Sequence, residues 1–209
     1  MKKETFGFSR EELRILRKLN TPPKIQDFLN SLKINFEEEG DTCFSPRKVL
    51  NEGRAHCIEG ALLAASALRF HGYRPLIVDL EADNKDEDHV IAVFNIKNKW
   101  GAITKTNHAV LRYREPIYRD IRELVMSFFH EYFLNSNGKK TLRAYSRPVD
   151  LSRFDKKGWM TSDEDVWYIP EYLTEIKHIK ILDGKNIRKL RRADSIEIEA
   201  GKLTEYKKG

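Results

Sequence analysis

Cysteine is scarce in this 209-residue chain, which has only Cys43 and Cys57. Two thiols cannot build a disulfide-stapled scaffold, so a reducing, cytoplasmic setting is expected and a special cysteine is more a chemical than a structural feature. No apolar run approaches the roughly 20 residues that cross a bilayer, which excludes a helical membrane span. The opening Met1-Lys2-Lys3-Glu4-Thr5 is charged and lacks the apolar stretch of a secretory leader, so none is expected. Internal repeats and low-complexity tracts are missing as well. So is a surplus of one charge over most of the length. The net charge is +6, and +5 of it falls in residues 177–209, which hold ten Lys/Arg against five Asp/Glu. A uniformly basic nucleic-acid surface is therefore not expected; a basic C-terminal segment is.

What is present is enough for a core. Hydrophobic residues make up 40% of the chain, and 11 Phe, 8 Tyr and 3 Trp argue against general disorder. A mass of 24.5 kDa suits one domain, or one domain with an appendage. Ser9-Arg10-Glu11-Glu12 fits a capping box that opens a helix carrying Leu13, Leu16 and Leu19. Thr21-Pro22-Pro23 starts a second helix, amphipathic through Ile25, Phe28, Leu29 and Leu32. Ser45-Pro46 offers a cap and a first-turn proline for a short third one. From Cys57 to Leu68 the chain is apolar nearly all round and rich in alanine, as in a helix buried on most sides, with Gly72 as its stop.

Strands are expected over residues 75–80, 89–96 and 100–104, the last two as an antiparallel hairpin around Lys97-Asn98-Lys99. A helix is expected over residues 118–133, and short strands over 179–182 and 196–198. The pattern predicts an α+β fold: N-terminal helices, then a central buried helix packed on a small antiparallel sheet. Residues 1–150 read as this core, and residues 151–209 as a basic extension packed on it or trailing it.

A cysteine at a helix start meets unpaired N–H groups and the positive end of the helix dipole, which favour the reactive thiolate. A histidine beside it can form an ion pair and exchange protons, and a third polar side chain can fix the imidazole's direction. Cys57 opens the buried helix, His89 opens a strand, and Asn107 follows the next strand. Antiparallel pairing about the hairpin turn places position 89 roughly opposite 106, so residues 104–107 are expected beside His89. Asn107 is the favoured ring acceptor; the Thr104 and Thr106 hydroxyls are the alternatives.

Three stretches carry a family resemblance: Gly53-Arg54-Ala55-His56-Cys57-Ile58-Glu59-Gly60-Ala61, His89-Val90-Ile91-Ala92-Val93-Phe94 and Trp100-Gly101-Ala102-Ile103. With Thr106-Asn107 and Leu111-Arg112-Tyr113-Arg114-Glu115-Pro116 they resemble a bacterial branch of the transglutaminase-like superfamily of papain-type folds, over about residues 20–135. The resemblance implies a Cys-His-Asp or Cys-His-Asn triad acting on protein or peptide amides, by hydrolysis or acyl transfer, without a mandatory metal or other cofactor. By that match Cys57 is the nucleophile and His89 the base. The chain departs from the family at the third residue, where Thr104 stands in place of the family's Asp.

Other features have blander readings. Cys43 reads as a packing residue. The run Asp83, Asp86, Glu87 and Asp88 reads as a solvated loop, or as an acidic flank of His89 that attracts a cationic group. His56, Cys57 and His89 lack the paired spacings of zinc motifs. Lys185, Arg188, Lys189, Arg191 and Arg192 read as a solvated face, with nucleic acid or another anionic partner as the alternative. A non-catalytic binding module working through that basic surface is the competing function.

Overall fold

The computed structural model describes residues 5–207; residues 1–4, with most of the charged opening read above, and residues 208–209 lie outside them. Ser9 caps α1 (Arg10–Lys18) through the expected reciprocal pair, Glu12 N to Ser9 Oγ at 3.2 Å and Ser9 N to Glu12 Oε2 at 2.6 Å. Thr21 caps α2 (Pro22–Ser31), where Pro22 and Pro23 cost nothing because first-turn N–H groups have no helical acceptor. Strand β1 (Lys33–Ile34) follows, and Ser45 caps α3 (Pro46–Glu52), which ends on Gly53 at φ +66°. The Arg47 guanidinium ties α3 to α1 through Glu12 at 2.9 Å.

Strand β2 (Arg54–Ala55) pairs in parallel with β1 and delivers the chain into α4 (Cys57–Phe70). Leu62, Leu63 and Leu68 of α4 are fully buried. Removing side chains of this size from water is worth about 1.5–3 kcal/mol each. Gly72, at φ +90°, turns the chain out of the helix.

The main sheet then forms from β3 (Leu76–Glu81), β4 (His89–Ile96), β5 (Lys99–Ile103) and β6 (Arg114–Tyr118). Lys97 and Asn98 both have positive φ, +50° and +62°, the two-residue turn whose twist matches a tight hairpin, and Ile96 pairs with Lys99 across it. After α5 (Ile121–Met126) come β7 (Ala144–Ser146) and β8 (Val149–Asp150), both paired with β3. A 3-10 helix (Leu151–Lys157), α6 (Tyr168–Glu175) and β9 (His178–Lys180) follow, then α7 (Gly184–Ile187) and α8 (Ser195–Gly201). The strand order is β6-β5-β4-β3-β7-β9, with β8 beside β3, and all pairs in this seven-stranded sheet are antiparallel. The fold is α+β. Among the described residues no helix is long and apolar enough to cross a membrane.

Alternation along the strands splits the core in two. Ile77, Val90, Ala92 and Phe94 face α4 and the N-terminal helices. Val78, Leu80, Ile91 and Val93 face Leu124, Phe128 and Tyr132. Segment 151–180 packs on the core: Trp159, Val166 and Ile169 are fully buried, and β9 is a strand of the main sheet.

Two elements differ from the sequence expectation. The helix over 118–133 is confined to α5, because Tyr118 belongs to β6, Asp120 caps the start and Ser127 Oγ bonds the Leu124 carbonyl. The strand expected at 196–198 is helical, since Asp194 and Glu197 form a capping box, with Asp194 N to Glu197 Oε2 at 2.6 Å.

Candidate active site

Cys57 is the first residue of α4, half-buried, at the wall of a cleft of about 470 Å³ that also takes in His56, His89 and Asn107. Burial pushes its thiol up. Hydrogen bonds from His56 and then His89, with the charge of both rings, more than offset this and bring it down to about 5. Cys43 is fully buried, and burial holds its thiol far above the usual range, so the two cysteines are opposites.

His89 opens β4 opposite Leu80 and is only 7% exposed. Its Nε2 is buried with no hydrogen-bond partner. The β4–β5 ladder ends at Ala92 and Ile103, and the chain then leaves the hairpin. Thr104 turns to other partners, its N–H to Gln26 Oε1 at 3.0 Å and its hydroxyl to the Leu111 carbonyl at 2.6 Å. The Thr106 hydroxyl accepts from His108 N. Asn107 lines the cleft, but both ends of its amide are held by Tyr206: Nδ2 donates to the Tyr206 carbonyl and Oδ1 accepts from Tyr206 N, each at 2.9 Å. Asn107 is thus a clamp on the C-terminal segment, and the expected hydrogen bond to His89 is not made.

That segment runs beside the cleft wall. Glu205 N donates to the Asn107 carbonyl, Ala109 N to Leu203, and Thr204 bridges His108. The wall is set from below by Lys105, 1% exposed, whose ammonium donates to the last carbonyls of α2, Leu29 at 2.9 Å and Leu32 at 2.6 Å. Burial pushes this amine down to about 8. Glycine at position 60 of α4 makes the approach feasible, since a methyl there would stand 2.4 Å from Lys105 Cβ.

The residues not anticipated as a functional group are His56 and Glu59. Glu59 is fully buried in an apolar helix, and its carboxylate accepts from Thr42 Oγ1 at 2.7 Å and from Phe44 N and His56 N at 2.9 Å. Burial raises its pKa, but the His56 ring and these donors hold it to about 2. The His56 ring contacts Glu59 Oε1 at 3.4 Å and the Thr42 carbonyl at 3.0 Å. Burial works against its charge, while hydrogen bonds to Cys57 and Glu59 raise its pKa well above the ordinary value. A lone carboxylate in the run Ile58-Glu59-Gly60-Ala61, three residues after His56, was the available signal.

A second imidazole–carboxylate pair joins neighbouring strands, His178 Nε2 to Asp79 Oδ2 at 2.9 Å. Burial pushes the Asp79 carboxyl up to about 6 despite that bond. Among the described residues no group of three or more His, Cys, Asp or Glu side chains is arranged to hold a metal ion. The arrangement defines an α+β body in which one thiol and two imidazoles line a single cleft. No protein-family model matches the chain, and no curated protein matches it.

Proposed function

We propose that the chain carries out cysteine-dependent amide chemistry through a thioacyl-enzyme intermediate, on a transglutaminase-like core. The supporting observation is the Cys57 thiol, at the head of a buried helix on a cleft that His56 and His89 also line, with the two imidazoles drawing its pKa down. In this reading the Cys57 thiolate attacks the carbonyl carbon of a carboxamide, while the helix-start N–H groups meet the developing oxyanion. His89 protonates the leaving nitrogen as the C–N bond breaks, then takes a proton from the water or amine that attacks the thioester. Water makes the enzyme a peptidase or amidase; an amine acceptor makes it a transamidase. The Glu37, Asp86, Glu87 and Asp88 carboxylates along the cleft favour a substrate with a cationic group. A reducing, cytoplasmic compartment belongs to the same proposal, because both cysteines are free.

Iodoacetamide at about pH 6 is expected to label Cys57 and spare Cys43. An activated acyl ester is expected to leave an acyl adduct on Cys57, whose turnover slows by roughly a hundredfold or more in His89→Ala. Slow, equal labelling of both cysteines, or no acyl adduct, refutes the reading.

The side chains of Lys185, Arg188, Lys189 and Arg192 project into solvent, which favours a second reading: a binding module using this basic surface for an anionic partner.

A further inference from the structure

Two imidazoles around one sulfur raise the question of what each does. They differ in what holds them. His56 Nε2 is surrounded by acceptors: the Thr42 carbonyl at 3.0 Å, Glu59 Oε1 at 3.4 Å and Glu37 Oε1 at 3.5 Å. A ring nitrogen facing acceptors alone carries a hydrogen. The state of the rest of the ring is set by Glu59. That carboxylate is fully buried, and apart from His56 its hydrogen-bond donors are the Asn35 amide, the Thr42 hydroxyl and the Phe44 N–H, all neutral. A buried carboxylate is tolerated when a cation is paired with it, and the basic side chain in contact with Glu59 among the described residues is His56. One ring therefore pairs with a buried carboxylate and belongs to the residue next to Cys57, on the same cleft.

His89 has no such support. Its Nε2 is buried without a hydrogen-bond partner, so no third residue holds the ring through that nitrogen. It can accept and release a proton at the sulfur without breaking a bond to a third residue.

We propose that His56, backed by Glu59, is the fixed positive partner of the Cys57 sulfur, leaving His89 to move protons. The proposal rests on the reading of Cys57 as a nucleophile and divides the labour around it. The titratable groups facing this cluster are Glu59 on α4 itself, Glu37 from the loop after β1, and His89 from β4. The Cys57 charge also reaches Cys43, Asp79 and Tyr132. His56 is accordingly a positioning residue, and its signature lies in a pH profile.

The test is the pH dependence of Cys57 alkylation by iodoacetamide in the full chain, compared across His56→Gln, Glu59→Gln and His89→Gln. His56→Gln is expected to move the profile upward by more than one pH unit, which lowers the rate at about pH 6 roughly tenfold. Glu59→Gln is expected to shift it in the same direction. His89→Gln is expected to shift it less, while still abolishing turnover of the acyl adduct. An equal or larger shift from His89→Gln overturns the division of roles. Failure of the wild type to form an acyl adduct would instead refute the enzymatic reading, so the two failures are distinguishable. Should a variant fail to fold, nitrogen NMR of the wild-type ring decides: both His56 nitrogens are expected to be protonated near neutral pH, and a neutral ring overturns the proposal.

Discussion

Replacing Gly60 with alanine sets two physical effects against each other with opposite signs. Alanine is the better helix former, and at an interior helical position the exchange by itself stabilises by about 1 kcal/mol. Against this, the added methyl would stand 2.4 Å from Lys105 Cβ and 3.1 Å from Lys105 Cγ. Carbon atoms pack at about 3.5–4.0 Å, so the two segments must separate by roughly 1 Å or more. The obstacle lies near the root of the lysine side chain, whose tip is held by the Leu29 and Leu32 carbonyls, so it cannot swing aside cheaply. Overpacking of this kind costs about 1–3 kcal/mol or more, and loosening a buried ammonium from its acceptors adds to that. Gly60→Ala is therefore expected to destabilise by about 1–2 kcal/mol net, a fall in Tm of about 2–8 °C for a chain of this size. Urea and thermal melts followed by circular dichroism read the sign directly. A variant as stable as the wild type, or more so, would mean that Lys105 is not wedged against α4 and that the cleft wall is not set from below.

Two further outcomes follow. Asp79 has its carboxyl raised from the ordinary 3.8 to about 6, so the folded chain holds this proton more tightly than the unfolded one, and its contribution to stability is present at low pH and fades as pH rises through that window. Asp79→Asn should therefore gain on the wild type between about pH 4 and pH 7, by up to about 3 kcal/mol in urea melts, and an unchanged or reversed difference would refute the assignment. For the basic surface, salt-sensitive retention on a heparin column should be lost when Lys185, Arg188, Lys189 and Arg192 are neutralised together; no retention of the wild type at low salt eliminates the anion-binding reading.

The sequence was readable where one local rule acts alone. Ser9 and Glu12 announce their helix through a side-chain exchange that needs no tertiary context. The hairpin turn at Lys97 and Asn98 sets its own register, and the pairing found between Ile96 and Lys99 continues to Ala92 and Ile103. The expectation for Asn107 failed because that register was extended past the end of the ladder. Beyond Ile103 the chain answers to Gln26 and to the carbonyls at the end of α2, partners distant in sequence. Ile196 and Ile198 alternate like a strand, but the Asp194–Glu197 cap overrides so short an alternation. His56 was passed over as a site residue because its surroundings, Thr42, Glu37 and Glu59, are brought together only by the β1–β2 pair and the start of α4.

The Tyr206 clamp has a practical corollary for anyone handling this molecule. Whatever chain continues past that residue begins its path at the rim of the cleft, because the Asn107 amide grips the backbone there at two points. A purification tag, fluorophore or surface tether attached downstream would start beside the cleft and, on the proposed reading, would report on a substrate's arrival or obstruct it.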